Sequence, residues 1–354
     1  MERILLTGGS GFVGSSLALL LKNHFPQSSI ICFDNLHRRG SELNVSRLRG
    51  QGIEFIHGDI RHMEDLHTAG PVDAVIDCSA EPSVLAGYDS SPRYAIDTNL
   101  VGTINVLEYA RENRAALVFL STSRVYPIES LSKLDYVESD TRFDLKANQP
   151  IHGASGKGIK EGFPMDGPRS LYGATKYASE LLIQEYIAMY GMQAVINRCG
   201  VLTGPWQFGK VDQGFVVLWV ARHYWNKPLA YIGFGGEGKQ VRDILHVEDL
   251  FALLDRQLAS MDTYTGQVYN VGGGAERSVS LQELTLLCEE ITGNRITIER
   301  RPATREADIP IYISDNTKIE TASGWTPKKS VKQIVVEIHE WIQQNEKVLK
   351  GVLL

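Results

Sequence analysis

Apolar and polar positions follow two rhythms through the first half of the chain. Short apolar runs recur at Arg3–Thr7, Ile30–Phe33, Ile53–Ile56, Ala74–Cys78, Leu117–Leu120 and Ala194–Asn197, each too short for a helix. Between them, helical spacing marks Phe12–Leu21, Asn99–Arg111 and Tyr172–Tyr190. Strands that are apolar throughout are covered on both faces, so the pattern predicts an α/β fold with a doubly wound parallel sheet. From Ser130 to Arg169 the rhythm stops; the stretch is polar, holds Gly153-Ala-Ser-Gly-Lys-Gly158, and reads as a long loop. After Arg198 strands and helices mix, which predicts a smaller α/β lobe over 199–354, with a segment around 240–270 returning to the first. An amphipathic helix at Val331–Gln343 closes the pattern.

Composition narrows the function classes. The 354 residues carry 36 Lys and Arg against 42 Asp and Glu, a net charge of −6, and the basic pairs Arg38-Arg39, Arg300-Arg301 and Lys328-Lys329 are scattered. No basic stripe follows a phosphate backbone, so no nucleic-acid partner is expected. Cys32, Cys78, Cys199 and Cys288 form no Cys-x-x-Cys pair, and the histidines have no ligand spacing, so no metal is expected. His246 reads as a structural residue. The first strand starts directly after Met1 and no apolar run approaches a membrane span; the expectation is a cytoplasmic protein with no membrane partner.

The first strand runs into Gly8-x-x-Gly11-x-x-Gly14, followed by the helix that Phe12 and Val13 begin. Glycines on a strand-to-helix turn let a pyrophosphate approach a bare helix N-terminus, whose free N–H groups favour an anion. The second strand ends in Asp34-Asn35, where a carboxylate would accept the adenosine ribose hydroxyls and repel a 2′-phosphate, so NAD is favoured over NADP. Arg38 follows, close enough in sequence to hold such a phosphate instead. Asp59-Ile60 closes the third strand at the adenine edge, and Asn99 opens a helix as its cap or as a cofactor contact. Together these predict a Rossmann-type domain over 1–198.

Tyr172 and Lys176 are four residues apart and share a helix face. A tyrosine base must ionise far below its free value of about 10, and reaching neutral pH takes roughly 4 kcal/mol of differential stabilisation. A neighbouring ammonium and a positive nicotinamide both favour the phenolate. The strand ending at Thr122 would bring a hydroxyl beside Tyr172.

With these residues the sequence resembles the extended short-chain dehydrogenase/reductase (NAD-dependent epimerase/dehydratase) family over nearly its whole length. Thr7–Gly14, Asp34-Asn35, Gly58-Asp59-Ile60, Asn99, Thr122, Tyr172/Lys176, Arg242–Asp249 and Tyr269–Gly273 carry the likeness. The resemblance implies that Thr122 bonds the sugar hydroxyl, Tyr172 is the base, and Lys176 is its electrostatic partner. Family dehydratases carry Asp-Glu after the threonine, whereas Ser123-Arg124 stands here, and a cation cannot serve as the acid or base of an elimination.

Within the family, Asp34–Gly40, Ala80-Glu-Pro-Ser83, Trp206-Gln-Phe208, Asp212-Gln-Gly214 and Gly238–Asp243 look like the CDP-paratose (CDP-tyvelose) 2-epimerases. That likeness implies Gly40 and Ala80 as further cofactor contacts. It implies Ser83, Ser123, Arg124, Gln207, Asp212, Gln213 and Gln240 as substrate contacts. Arg242 and Arg305 are the candidates for the pyrophosphate, since guanidinium forks match phosphate oxygens; Asp308 would accept from ribose or pair with Arg305. The expected enzyme holds NAD tightly, regenerates it each turnover, takes a CDP-sugar and forms a homodimer or higher homo-oligomer. A 4-epimerase, a net reductase and a non-catalytic NAD-binding regulator are the alternatives. Glu81 departs from the epimerases, which more often have Gln there.

Overall fold

The computed structural model describes residues 1–88, 91–209 and 213–354. Seven strands form one sheet, in the order Val268–Val271, Ala194–Cys199, Ala116–Thr122, Ala74–Asp77, Arg3–Thr7, Ser29–Asp34, Glu54–His57. Arg3–Thr7 pairs in parallel with Ser29–Asp34 on one side and Ala74–Asp77 on the other, setting Thr7 against both Phe33 and Asp77. The strand order reverses direction beside Thr7, and a doubly wound sheet binds its ligand at the carboxyl ends of such strands. On one face Leu5, Ile31, Val75, Leu117 and Phe119 pack with Val106, Leu107 and Ile183, and the alternate positions Ile4, Leu6, Cys32, Ile76 and Val118 are buried on the other. This arrangement is why those strands read as continuous apolar runs.

The chain divides into two compact units that interleave along the sequence. The first holds 1–125, 171–198 and 250–269; the second holds 126–170, 199–249 and 270–354. The expected boundary after Arg198 is therefore one of several crossings. The segment 126–170, placed by sequence in the first domain, belongs to the second unit.

That segment is also not a long loop. It contains a helix at Ile128–Ser132, an antiparallel pair Tyr136–Glu138/Phe143–Leu145 and a two-residue pair Ala154–Ser155/Gly158–Ile159. Strands of two or three residues are too short to show a period, which is why sequence missed them. In the same unit Val241–His246 is the hub of a small mixed sheet. It pairs in parallel with Val201–Thr203 and Ile311–Tyr312, and antiparallel with Ser278–Ser280. Ser280 with Glu283 and Ser330 with Gln333 form capping boxes that start the Leu281–Thr292 and Val331–Gln344 helices. A further helix, Glu346–Leu353, follows the one expected to be last.

Candidate active site

The glycine turn is built in the first unit, and its glycines have different jobs. A Cβ on Gly14 would lie 2.3 Å from the Gly8 carbonyl oxygen, and one on Gly9 would lie 2.6 Å from the Cys32 Cβ. Gly8 has φ +61, and its carbonyl accepts the Gly11 amide at 3.0 Å. A Cβ on Gly11 would meet only that same oxygen, at 3.2 Å. Packing thus demands glycine at 8, 9 and 14, whereas at Gly11, the N-cap of the Phe12–His24 helix, a Cβ would press on that one oxygen alone. No side chain caps that helix. Phe12 and Val13 open its first turn, where the unpaired N–H groups lie. A bare N-terminus with room above it fits a dinucleotide pyrophosphate.

Asp34 ends its strand with one carboxylate oxygen 3.1 Å from the Ser10 amide and the other 2.7 Å from the Leu36 amide. Burial pushes its carboxyl above the usual range, opposed by hydrogen bonds from the Leu36, Ser10 and Gly11 amides. Each oxygen keeps a lone pair for a ribose hydroxyl. Asn35 donates to Asp59 at 2.9 Å, and Arg61 grips the same carboxylate at 2.6 and 3.0 Å. Desolvation pushes the Asp59 carboxyl up, but the Arg61 and Asn35 hydrogen bonds outweigh it and hold it well below the usual range. Asp59 is thus already engaged at the sheet edge where sequence placed adenine. Ile60 is buried against Gly102, where a Cβ would lie 2.5 Å from its Cδ1. Arg38 and Gly40 form the next turn: the Arg38 carbonyl accepts from the Ser41 amide and hydroxyl, and the Gly40 amide donates to Glu42.

Asn99 is not a helix cap. It sits inside a π-helical turn, Asp97–Val101, between the Arg93–Ile96 and Gly102–Asn113 helices. Its side chain accepts the Glu81 amide at 2.7 Å and donates to the Glu81 carbonyl at 3.0 Å. It therefore clamps the loop that carries Ala80 and Ser83. The Glu81 carboxylate is turned along that loop, accepting the Ser83 amide at 3.2 Å.

Thr122 is buried at the end of the Ala116–Thr122 strand, and its hydroxyl accepts the Arg124 amide at 3.2 Å. Ser123 and Arg124 lie in the single 3-10 turn that follows. Tyr172 is half-buried in the first turn of the Leu171–Tyr190 helix, and Lys176, one turn on, is 1% exposed with its ammonium 3.9 Å from the Phe119 ring centroid. Sequence reasoning missed three neighbours. Glu180 and Arg198 form a buried ion pair at 2.7 Å, and the Ser121 hydroxyl donates to Glu180 at 2.5 Å. The signal was present, because Glu180 lies four residues beyond Lys176 on the same helix face.

In the second unit, Arg242 extends from the hub strand and donates to Asp308 at 2.9 Å and to the Ile309 carbonyl at 2.7 Å. The expected Arg305–Asp308 pairing is replaced by this one; the Arg305 backbone carbonyl instead accepts the Asp308 amide. Gln240 is buried, donating to the Ile232 carbonyl while its own oxygen lacks a partner among the described residues. Gln207 is tied to Thr203 and the Leu202 carbonyl. Gln213 borders the described part of its loop, and Asp212 lies outside the described residues. His246 is buried with Glu248 and Glu337 close by. The Lys329 ammonium sits 3.0 and 2.5 Å from those two carboxylates, and the Glu248 amide donates to the His246 Nδ1. A metal there would have to displace the lysine.

Residues 4–272 match the NAD dependent epimerase/dehydratase family. The chain is 32% identical over 350 residues to a CDP-paratose 2-epimerase of Salmonella typhi, covering 96% of this chain and 98% of that protein. It is 27% identical to a dTDP-glucose 4,6-dehydratase of Salmonella typhimurium, covering 99% and 95%. Among solved structures, the dTDP-glucose 4,6-dehydratase of Bacillus anthracis in complex with NAD superposes with a TM-score of 0.77 at 25% identity, covering 99% and 100%. The glycine turn, the Asp34 carboxylate and the sheet order agree with these likenesses: the chain belongs to the NAD dependent epimerase/dehydratase family, and NAD is its cofactor.

Proposed function

We propose that the protein is a nucleotide-sugar 2-epimerase of the CDP-paratose/CDP-tyvelose type. The observation that carries this reading is the turn after Thr122, where Ser123-Arg124 follows the threonine and the Arg124 amide donates to the Thr122 hydroxyl. An elimination needs a proton donor or acceptor there, and a guanidinium is neither; an epimerisation needs only the base and the cofactor. The likeness to the CDP-paratose 2-epimerase supports the choice of carbon and nucleotide.

When bound, NAD supplies hydride acceptance and hydride return. Thr122 bonds the sugar C2 hydroxyl, Tyr172 as phenolate takes its proton, and the buried Lys176 ammonium stabilises that phenolate. Tyr172 would hold the hydroxyl proton while C2 is a ketone and give it back to the oxygen once the ketone has presented its other face. Arg242 and Arg305 take the pyrophosphate, Arg242 giving up its bond to Asp308 for it. Ser83, Ser123, Gln207, Asp212, Gln213 and Gln240 complete the substrate contacts.

The test is a screen of CDP-, UDP-, GDP- and dTDP-sugars, following epimer formation by NMR without added cofactor. Inversion at C2 of a CDP-sugar is the expected result; inversion at C4, or turnover that consumes added NADH, would replace the reading with a 4-epimerase or a reductase. Tyr172→Phe should lower kcat by a factor of about 100 to 10,000 while the fold, read by circular dichroism, is kept. Near-normal turnover in that variant would refute the base. The same reading has the enzyme cytoplasmic and homodimeric. Among the described residues no helix is long and apolar enough to cross a membrane. Leu181 and Met189 are exposed on neighbouring sides of the Leu171–Tyr190 helix and suit contact with a second copy, which sedimentation would detect.

A further inference from the structure

We infer that Phe119 and the Ser121–Glu180–Arg198 cluster form a seat that positions the Tyr172/Lys176 helix face; the inference rests on the reading of Tyr172 as the base. Phe119 and Ser121 are two residues apart, hence on one face of the Ala116–Thr122 strand. Lys176 and Glu180 are one helical turn apart, hence on one face of the Leu171–Tyr190 helix. The two pairs meet in register. The Lys176 ammonium lies 3.9 Å from the Phe119 ring centroid, and the Glu180 carboxylate accepts the Ser121 hydroxyl at 2.5 Å. Ser121 directly precedes Thr122, so the contact ties the strand end bearing the threonine to the helix bearing the tyrosine.

Arg198 closes the arrangement from the neighbouring Ala194–Cys199 strand. Its Nε lies 3.1 and 3.0 Å from the two Glu180 oxygens, and its Nη2 lies 2.7 Å from one of them. Glu180 is 0% exposed and Arg198 is 5% exposed. A buried ion pair is poor evidence for stability, because apolar residues of similar volume often do as well or better. Its directional bonds do set a register that apolar contacts alone leave free to slide. A second latch on the same helix, Ser179 to the Asn99 carbonyl at 3.1 Å, fixes its rotation.

Phe119 has a further effect on the ammonium it carries. A ring face attracts a cation, most strongly where water is excluded, so it keeps Lys176 charged in a buried place. A charged Lys176 favours the Tyr172 phenolate. Phe119, Ser121, Glu180 and Arg198 are therefore positioning residues for the base, and none of them needs to touch substrate.

The experiment reads Tyr172 directly, from tyrosinate ultraviolet absorbance across pH on NAD-loaded protein, each form minus its own Tyr172→Phe counterpart. Two changes are compared with wild type: Phe119→Leu, and the charge-balanced replacement Ser121→Ala with Glu180→Leu and Arg198→Met. The second removes the bonds without stranding a buried charge, and thermal melting shows that each protein is folded; either folded variant decides the outcome. The seat predicts that Tyr172 ionises about one pH unit higher in both, about a tenfold fall in the ratio of phenolate to phenol at a given pH. A folded variant whose Tyr172 ionises where wild type does overturns the seat. Wild-type protein with no depressed Tyr172 ionisation overturns the assignment of the base itself, and is told apart because it needs no seat variant.

Discussion

On the function proposed above, the cofactor turn and the Arg242 strand would solve the same problem, recognition of a pyrophosphate, by opposite means. At Gly8–Gly14 the protein removes side chains: backbone N–H groups stand at a helix end with no cap, and a Cβ on Gly11 would meet only one carbonyl oxygen. At Arg242 it supplies a side chain already engaged with Asp308 and the Ile309 carbonyl. The first site is complete before any ligand arrives, since rigid dipoles need no reorganisation. The second must exchange an internal ion pair for a ligand, so its grip is the difference between two similar interactions. A cofactor retained through turnover and a substrate exchanged in each cycle, as proposed, would call for that difference.

The strongest way to break this comparison is Gly11→Val. Gly11 has extended backbone that valine also adopts, and its Cβ would press only on the Gly8 carbonyl oxygen, so the protein should fold, yet lose resident NAD by a factor of 10 or more; about 1.4 kcal/mol is enough for each tenfold step. Absorbance of cofactor released on acid denaturation measures it. Full NAD occupancy would mean that the pyrophosphate does not lie over Gly11. A smaller effect is expected from Arg242→Ala. Losing one charge-assisted contact to phosphate should raise KM by roughly tenfold, about 1.5 kcal/mol, with kcat little changed. Steady-state kinetics would show it, and a fall in kcat alone would move Arg242 from binding to support of the hub strand.

The smallest expected effect concerns Asp34. Burial holds its carboxyl above the ordinary range, and ribose hydroxyls bond the ionised form. Free protein therefore takes up a proton at Asp34 more readily than NAD-bound protein does, so NAD affinity strengthens as pH rises through the free-state value and weakens by a few-fold below it. Calorimetric titration of NAD into cofactor-stripped protein should show this slope, and Asp34→Asn should abolish it. A slope that survives the substitution would belong to another group.

Much of the first unit was legible because its rules are local. Its strands are buried on both faces, the glycine spacing falls on a strand–helix junction, and Tyr172 and Lys176 share a helix face by counting alone. What sequence missed depends on distant partners. Arg242 meets Asp308 across 66 positions of chain, where proximity suggested Arg305. Asn99 looked like a cap because a π-helical turn leaves no mark on apolar spacing. Glu180 looked like one more polar residue on a helix, since Arg198 and Ser121 reach it only after the sheet has formed. The strands of 126–170 are too short to show a rhythm at all.

The interleaving of the two units bears on how the protein can be made. The first unit takes its last segment from residues 250–269 of a 354-residue chain. Until Val268–Val271 emerges from the ribosome, the Ala194–Cys199 strand is the outer edge of the main sheet, with its hydrogen-bonding groups unpaired on that side. Translation at about 5–20 residues per second leaves that edge open for some seconds, during which another nascent chain can add to it. A fragment ending at Arg198 would keep the edge open indefinitely. The nucleotide-binding half is thus a domain in space that cannot be cut out as a domain in sequence.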